Sequence, residues 1–122
     1  MSEISSDVNV RCARGESVVK VVILFGRPKD QTAFDTYFST HHRPLLGEMQ
    51  EVERVTVNRI VGAAKGDSPY QLITELEFPS EEAMQSGLNS EVGQTMARDF
   101  SQFASGGVTI LFSEAILEQP IE

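Results

Sequence analysis

The sequence is poor in the residue types that build several common kinds of site. Its 122 residues include no tryptophan, one cysteine and two histidines, and 18 acidic residues outnumber 10 basic ones. One cysteine cannot form an intrachain disulfide, and a histidine pair without clustered cysteines or carboxylates does not form a zinc-binding pattern. A net charge of −8 without any basic cluster disfavours a nucleic-acid partner, which needs a positively charged stripe. We therefore expect no metal site and no nucleic-acid binding.

Long hydrophobic runs are also missing. No apolar run approaches the roughly 20 residues that cross a bilayer, and the negative charge disfavours anionic membrane surfaces. Residues 1–17, MSEISSDVNVRCARGES, are polar and lack the apolar region of a secretory signal. We expect these residues to be a flexible tail containing Cys12, and the protein to be cytoplasmic with no membrane partner.

Hydrophobic periodicity predicts the element order β-α-β-β-α-β in the rest of the chain. The predicted strands cover residues 18–25, 52–62, 70–78 and 108–112. The first helix begins near Thr32, with Thr32 and Asp35 at the spacing of a capping box, and ends or kinks at Pro44 before a short piece to residue 50. The second helical stretch follows Ser80, and glycines divide it into two helices or one broken helix.

This order predicts an α+β fold: a ferredoxin-like βαββαβ sandwich with a four-stranded antiparallel sheet and helices on one face. The first strand, VVKVVILF at 18–25, is largely apolar on both faces and so needs cover on both. A chain this short has helices for one layer only, so a second copy of the sheet is the natural second cover. We therefore predict a homodimer that forms a dimeric α/β barrel, with the domain at 18–115 and a C-terminal tail at 116–122.

Alternation also predicts which side chains share a face of the third strand, YQLITELEF. Tyr70, Leu72, Leu76 and Phe78 point one way, and Gln71, Glu75 and Glu77 point the other.

Both histidines lie in the segment FDTYFSTHHRPL at residues 34–45, after aromatic residues and before a proline. At about 100° per residue, Phe34, Phe38 and His41 share the helix face that should meet the sheet. Periodicity alone favours His41 as the inward histidine, but a small rotation at the proline would turn His42 inward instead. A histidine at a helix C-terminus also often only caps carbonyl groups.

An imidazole can take or give a proton at neutral pH, because its unperturbed pKa is near 6.5. A neighbouring phenol hydroxyl can stabilise a developing oxyanion. The candidate catalytic residues are therefore His42, Tyr37 and His41. The candidate substrate-binding residues, which could line an apolar cavity between helices and sheet, are Phe34, Phe38, Arg59, Met84, Met96 and Phe100.

These assignments have structural alternatives. The methionine and phenylalanine stripe at 84–103 is also the pattern of a helix core face. Arg59 could instead pair with Glu75 or Glu77 across the hairpin. Asp35 is placed to stabilise a helix N-terminus.

The segment at 34–45 resembles the first helix of the EthD family, small proteins found beside ether-degrading monooxygenase systems. The family pattern is F-D-x-Y-Y/F-x-x-x-H-x-P-L after a V-K-V-x-x-L-type strand, and the resemblance covers roughly residues 18–115. The matching residues are Phe34, Asp35, Tyr37, Phe38, His42, Pro44 and Leu45. The resemblance implies the dimeric α/β barrel and makes His42 the motif histidine, while His41 replaces a small polar residue.

The resemblance also implies a range of chemistry, because proteins with this barrel include cofactor-free monooxygenases, lactone isomerases, polyketide cyclases and haem-binding enzymes. Haem breakdown is disfavoured, since the barrel enzymes that perform it use a pocket tryptophan. We expect an enzyme with neither cofactor nor metal, a monooxygenase-type oxidoreductase or related acid–base catalyst, acting on a small hydrophobic oxygenated molecule. The alternative is a non-catalytic accessory protein that binds such a ligand for a partner oxygenase.

Overall fold

The sheet has four antiparallel strands, as the sequence predicts. The computed structural model describes residues 18–121, so the predicted tail at 1–17, with Cys12, lies outside the described residues. The strands are β1 (Val19–Gly26), β2 (Arg54–Arg59), β3 (Tyr70–Phe78) and β4 (Val108–Glu114). Their order is β2-β3-β1-β4, with every neighbouring pair antiparallel. The ferredoxin-like sandwich is therefore confirmed.

The helices connect β1 to β2 and β3 to β4. They are α1 (Gln31–Tyr37), a π-helical segment (Phe38–His42), α2 (Arg43–Glu48), α3 (Glu81–Asn89) and α4 (Glu91–Phe103). The predicted break in the second stretch falls at Ser90, whose hydroxyl accepts a hydrogen bond from the Gly93 N–H and caps α4.

Two details of the first helical region differ from the prediction. The capping box at Thr32 and Asp35 is wrong, because α1 begins one residue earlier and the Asp30 carboxylate caps it by accepting from the Ala33 N–H at 3.1 Å. Of the two outcomes predicted at Pro44, an end of the helix does not occur, whereas the predicted short second piece is present as α2. Pro44 lies in the first turn of α2, where a missing N–H is tolerated, directly after the π-helical segment.

All the helices pack on one face of the sheet, and the core lies between the two layers. Phe25, Leu76 and Phe78 of the sheet are fully buried there. On the other face, Val22 and Leu24 of β1 are only partly buried. No helix within residues 18–121 covers that second face, so the predicted homodimer stays a prediction.

A β-bulge in β3 changes the direction of one side chain. Gly26 pairs with Tyr70 and Phe25 pairs with Leu72, which leaves Gln71 as an extra residue. The prediction that Gln71 points away from Leu72 is therefore wrong, because the bulge interrupts strict alternation. Gln71 is buried on the helix side, where its Nε2 donates to the Gly26 carbonyl oxygen and its Oε1 accepts from Gln31 of α1.

Two glycines give a matched test of helix packing. A Cβ on Gly93 would lie 2.6 Å from the Leu88 carbonyl oxygen, whereas a Cβ on Gly47 meets nothing within 4 Å. We expect Gly93→Ala to lower the free energy of unfolding by about 1–3 kcal/mol through steric overlap. Gly47→Ala should raise it by roughly 0.5–1 kcal/mol, because alanine is the better helix former. Urea titration of both variants measures these changes, and equal signs would contradict the packing described for α3 and α4.

Candidate functional site

The π-helical segment decides which histidine points inward. A π turn holds more residues than an α turn, so the inward position that an uninterrupted α-helix would give to His41 passes to His42. His42 is 0 % exposed, and His41 is exposed. The ring of His41 stacks on Tyr37 at a centroid distance of 4.5 Å, and its Nδ1 lies 2.8 Å from the Thr40 hydroxyl. Periodicity alone favoured His41 because it assumes a constant rotation per residue.

One carboxylate of α4 joins the two inward candidate catalytic residues. His42 Nδ1 lies 3.0 Å from Asp99 Oδ2, and the Tyr37 hydroxyl donates to Asp99 Oδ1 at 2.7 Å. An ionised carboxylate can only accept, so the hydrogen of a neutral His42 ring is on Nδ1 and the lone pair is on Nε2. We call this group the Tyr37–Asp99–His42 network.

The other nitrogen of His42 lies among aromatic rings. His42 Nε2 is buried and has no hydrogen-bond partner among residues 18–121. Four phenylalanine rings surround the imidazole at centroid distances of 4.9 to 6.3 Å. They are Phe25, Phe38, Phe100 and Phe103. An unpaired buried polar atom is rare in folded proteins, and a catalytic role is one of the reasons why such an atom is retained.

The environment shifts the pKa values of both groups that contact Asp99. Burial lowers the pKa of His42 below its ordinary 6.5, although the hydrogen bond to Asp99 and the charge of Asp99 oppose this. His42 is therefore neutral at pH 7, which is the form that can accept a proton. The pKa of Tyr37 is raised above 10, first by its hydrogen bond to Asp99, then by burial and by the Asp99 charge. The Tyr37 hydroxyl therefore keeps its proton and donates a hydrogen bond to Asp99. Its predicted contact with an oxyanion stays a prediction.

The lowered pKa of His42 predicts how stability depends on pH. As pH falls through about 6.5, the unfolded chain protonates His42 while the folded protein does not, so protons favour unfolding. The stability contribution of the neutral ring is thus full above pH 6.5 and is lost as pH falls from there to the lower folded-state pKa. Urea titrations between about pH 8 and about pH 5 measure the free energy of unfolding. This free energy should fall below pH 6.5 more steeply in the wild type than in His42→Gln, which lacks the ring. Identical pH dependence of stability in both proteins would contradict the lowered pKa of His42.

A half-open cleft of about 360 Å³ lies between the first helical region and strands β2 and β3. Its lining residues are Phe34, Asp35, Phe38, Ser39, Arg43, Val57, Arg59 and Leu72. Three of the predicted substrate-binding residues, Phe34, Phe38 and Arg59, thus come together here. Phe38 also packs against His42 with a centroid distance of 5.5 Å, so its ring separates the cleft from the imidazole.

The other three predicted substrate-binding residues lie elsewhere. Met96 is buried in the core, and Phe100 packs against His42 at 5.2 Å on the α4 side. Met84 borders a separate cleft of about 190 Å³ beside Val19 and Phe112. None of the three lines the cleft beside Phe38, and their binding roles stay predictions.

Arg59 is held at the cleft beside Phe38 by a polar cluster, not by the glutamates across the hairpin. Its Nη1 donates to Gln71 Oε1 at 3.1 Å, and its Nη2 lies 3.4 Å from Asp35 Oδ1. Gln31 Nε2 donates to the same oxygens of Gln71 and Asp35. The suggested pairing of Arg59 with Glu75 or Glu77 is therefore wrong, because Arg59 points to the helix side of the sheet and both glutamates lie on the other side.

The candidate functional residue that the sequence reasoning missed is Asp99. It lies three residues after Met96 and four before Phe103, which places it on the apolar stripe of α4. A single acid within an apolar helix face is the signal that could have identified it. Its partner, however, is 57 residues away in sequence, so periodicity within one helix could not have paired it with His42.

Two kinds of feature are absent from the part of the chain that the structure describes. Between residues 18 and 121, no three His, Cys, Asp or Glu side chains are grouped as ligands for a metal ion. Over the same range, no helix combines the length and apolar character required to cross a membrane.

Comparison with known proteins identifies close relatives. Residues 18–116 match the family model described as REDY-like protein HapK. An uncharacterized 11.0-kDa protein from the thcB–thcC intergenic region of Rhodococcus erythropolis is 32 % identical over 95 residues, which is 78 % of this chain and 92 % of that protein. The crystal structure of an EthD family protein from Bacillus halodurans C-125 has a TM-score of 0.76 and 28 % identity, covering 81 % of this chain and 99 % of that one.

Two solved structures of lower identity share the fold. A hydroxynitrile lyase from Passiflora edulis has a TM-score of 0.65 at 18 % identity, over 84 % of this chain and 97 % of that one. SnoaB, a cofactor-independent oxygenase from Streptomyces nogalater, has a TM-score of 0.60 at 12 % identity, over 86 % of this chain and 98 % of that one. Their different activities show that this fold does not fix the reaction. The resemblance to EthD proteins is confirmed, and the chain belongs to the REDY-like HapK family, with the ferredoxin-like fold of EthD proteins.

Proposed function

We propose that the protein is a cofactor-free enzyme, a monooxygenase-type oxidoreductase or a related acid–base catalyst, acting on a small hydrophobic oxygenated molecule. One observation carries the proposal: a buried, neutral His42 has its Nδ1 fixed by Asp99 and its Nε2 unpaired. A carboxylate that fixes one nitrogen leaves the other as a directed base.

In this proposal, His42 Nε2 accepts a proton from a hydroxyl group or an activated C–H group of the substrate. Asp99 then stabilises the imidazolium that forms, as the carboxylate does in other carboxylate–histidine pairs. Tyr37 keeps Asp99 in place through its hydrogen bond. The product of this step is an electron-rich enolate or phenolate, which can be oxygenated by dissolved dioxygen as the oxidant, or can isomerise or cyclise without any oxidant.

The substrate reaches His42 from the cleft beside α1. The Phe38 ring lies between the cleft and the imidazole, so this ring must rotate for the substrate to contact Nε2. The surrounding phenylalanine rings keep water from the base, which strengthens electrostatic interactions there. The fold is compatible with such chemistry, since a cofactor-independent oxygenase and a hydroxynitrile lyase have the same fold.

The second candidate function is a non-catalytic accessory protein that carries a ligand for a partner oxygenase. The complete burial of His42 behind Phe38 favours it, because a ligand in the cleft would contact Phe34 and Phe38 without touching the imidazole.

A turnover assay separates the two functions. Wild-type protein, dialysed against a chelator and supplied with no cofactor, is incubated with phenols, quinones and lactones, and oxygen uptake and products are measured. Binding is measured on the same panel by calorimetry. Turnover by the chelated protein supports the enzyme, whereas binding without turnover contradicts it and supports the carrier.

We also propose that the protein is a homodimer, formed through the sheet face that no helix covers. Val22, Leu24 and Ile73 lie on this face together with Leu111, which is 51 % exposed. Lys20, Glu75 and Glu77 also lie on this face and pair with one another near one end of the strands. The apolar residues beside them need a second layer, and a second copy of the sheet supplies an identical surface.

Sedimentation velocity tests the dimer. At micromolar concentration we expect wild type to sediment as a dimer and Leu111→Glu as a monomer, because the glutamate would be buried without a partner. Val61→Glu is the matched control, since Val61 is 99 % exposed in the loop after β2. A monomeric wild type would contradict the proposal.

A further inference from the structure

The cleft beside α1 has a charge opposite to that of the whole protein. The chain has a net charge of −8, but two arginines, Arg43 and Arg59, and only one acid, Asp35, line this cleft. We propose that the substrate carries a carboxylate that Arg59 and Arg43 bind, so that its class is small apolar or aromatic carboxylic acids. This inference rests on the proposed function, because it places the substrate in the same cleft.

Arg59 is positioned before any ligand arrives. Its Nη1 is bonded to Gln71, which is only 5 % exposed and is itself fixed by Gln31 and by the Gly26 carbonyl. A guanidinium has five N–H donors, and its contacts with Gln71 and Asp35 leave donors available. A planar carboxylate can accept two of them side by side, which is the geometry that arginine prefers.

Asp35 does not neutralise this site. Its contact with Arg59 is 3.4 Å, longer than the roughly 2.7–2.9 Å of a strong charge-assisted hydrogen bond. The two side chains are 43 % and 52 % exposed, so solvent screens the pair. Arg43 makes no side-chain hydrogen bond or ion pair with any residue from 18 to 121, which leaves its charge available as well.

The remaining surface of the cleft suits the rest of such a molecule. Phe34, Phe38, Val57 and Leu72 supply aromatic and aliphatic contacts. A ligand with its carboxylate at Arg59 would place its apolar body against Phe38, the ring that separates the cleft from His42. The carboxylate is therefore a binding group, and the reacting atom is at the other end.

Calorimetry with 2-naphthoate and its neutral analogue 2-naphthamide tests this inference. We expect wild type to bind naphthoate about tenfold more tightly than naphthamide, the effect of one charge-assisted interaction. Arg59→Gln should lose about tenfold in naphthoate affinity and Arg43→Gln about threefold, with naphthamide affinity unchanged in both. Arg59→Lys should fall between wild type and Arg59→Gln, because it keeps the charge but loses the planar fork.

Arg98→Gln is the matched control, because Arg98 is exposed on α4 outside the cleft and should bind naphthoate as wild type does. Circular dichroism verifies that each variant is folded. Equal affinity for the two ligands, no binding of either, or full naphthoate affinity in Arg59→Gln and Arg43→Gln would each overturn the inference. Absence of turnover with preserved naphthoate selectivity would contradict only the proposed function. Turnover of neutral substrates without naphthoate selectivity would overturn only the carboxylate class.

Discussion

Replacement of His42 by glutamine is expected to lower kcat by a factor of about 10²–10⁴, the usual contribution of a positioned general base. Glutamine has a side-chain amide that can still donate to Asp99, so the contact with the carboxylate and the fold can be retained. It has no nitrogen that accepts a proton near neutral pH. The KM should change little, because the cleft residues Phe34 and Arg59 are untouched. The kinetics are measured on whichever member of the phenol, quinone and lactone panel the wild type converts.

His41→Gln is the matched control for this experiment. It makes the same substitution one residue earlier, at an exposed ring that stacks on Tyr37 outside the aromatic pocket. We expect its kcat to stay within about twofold of wild type, as for a surface substitution away from the chemistry. Equal turnover in wild type and His42→Gln would remove His42 from the mechanism, and loss of activity in His41→Gln alone would assign the role to the outward histidine.

Replacement of Phe25 by alanine is expected to lower the free energy of unfolding by about 3–5 kcal/mol. Phe25 is 0 % exposed and lies on β1 beneath the site. Its ring contacts five others at centroid distances of 5.5 to 6.3 Å. They belong to Phe34, Phe38, His42, Phe100 and Phe103. The loss is large because the cavity would remove contacts from the core and from the site together. It is a large part of the roughly 5–15 kcal/mol that stabilises a typical domain.

Phe112→Ala is the control for stability. Phe112 lies on the edge strand β4 and is 59 % exposed, so its truncation should cost less than about 1 kcal/mol. Urea titrations at one fixed protein concentration measure both variants, which keeps any contribution from association equal. Similar losses for Phe25→Ala and Phe112→Ala would contradict the description of a single aromatic core that supports the site.

The regular parts of the fold could be predicted from the sequence. The alternation from Tyr70 to Phe78 predicts β3 with both of its ends correct, because a half-buried strand imposes a period of two. The glycines of the second helical stretch predict its division, and α3 and α4 separate there, at Ser90. The sandwich then follows from element order and from the need to cover each apolar face.

The site depends on departures from regular periods, and these were not predictable in the same way. The π turn brings His42 rather than His41 inward, and the bulge turns Gln71 to the helix side. Both depend on one extra residue in a turn or strand, which a fixed period cannot represent. The family pattern did select His42, since it compares positions and not angles. Asp99 was missed because its role arises only from a contact made across the folded chain.

The ionisation of His42, followed by nitrogen-15 NMR, tests the proposed base most directly. In His41→Gln, His42 is the only histidine of the chain, so its ring signals need no further assignment. We expect a neutral His42 ring at pH 7 with the hydrogen on Nδ1 and a pKa below 6.5. Asp99→Asn in the same background should lower this pKa further, because both effects of Asp99 raise it. A hydrogen on Nε2, or a pKa at or above 6.5, would contradict the claim that Asp99 holds His42 as a buried base.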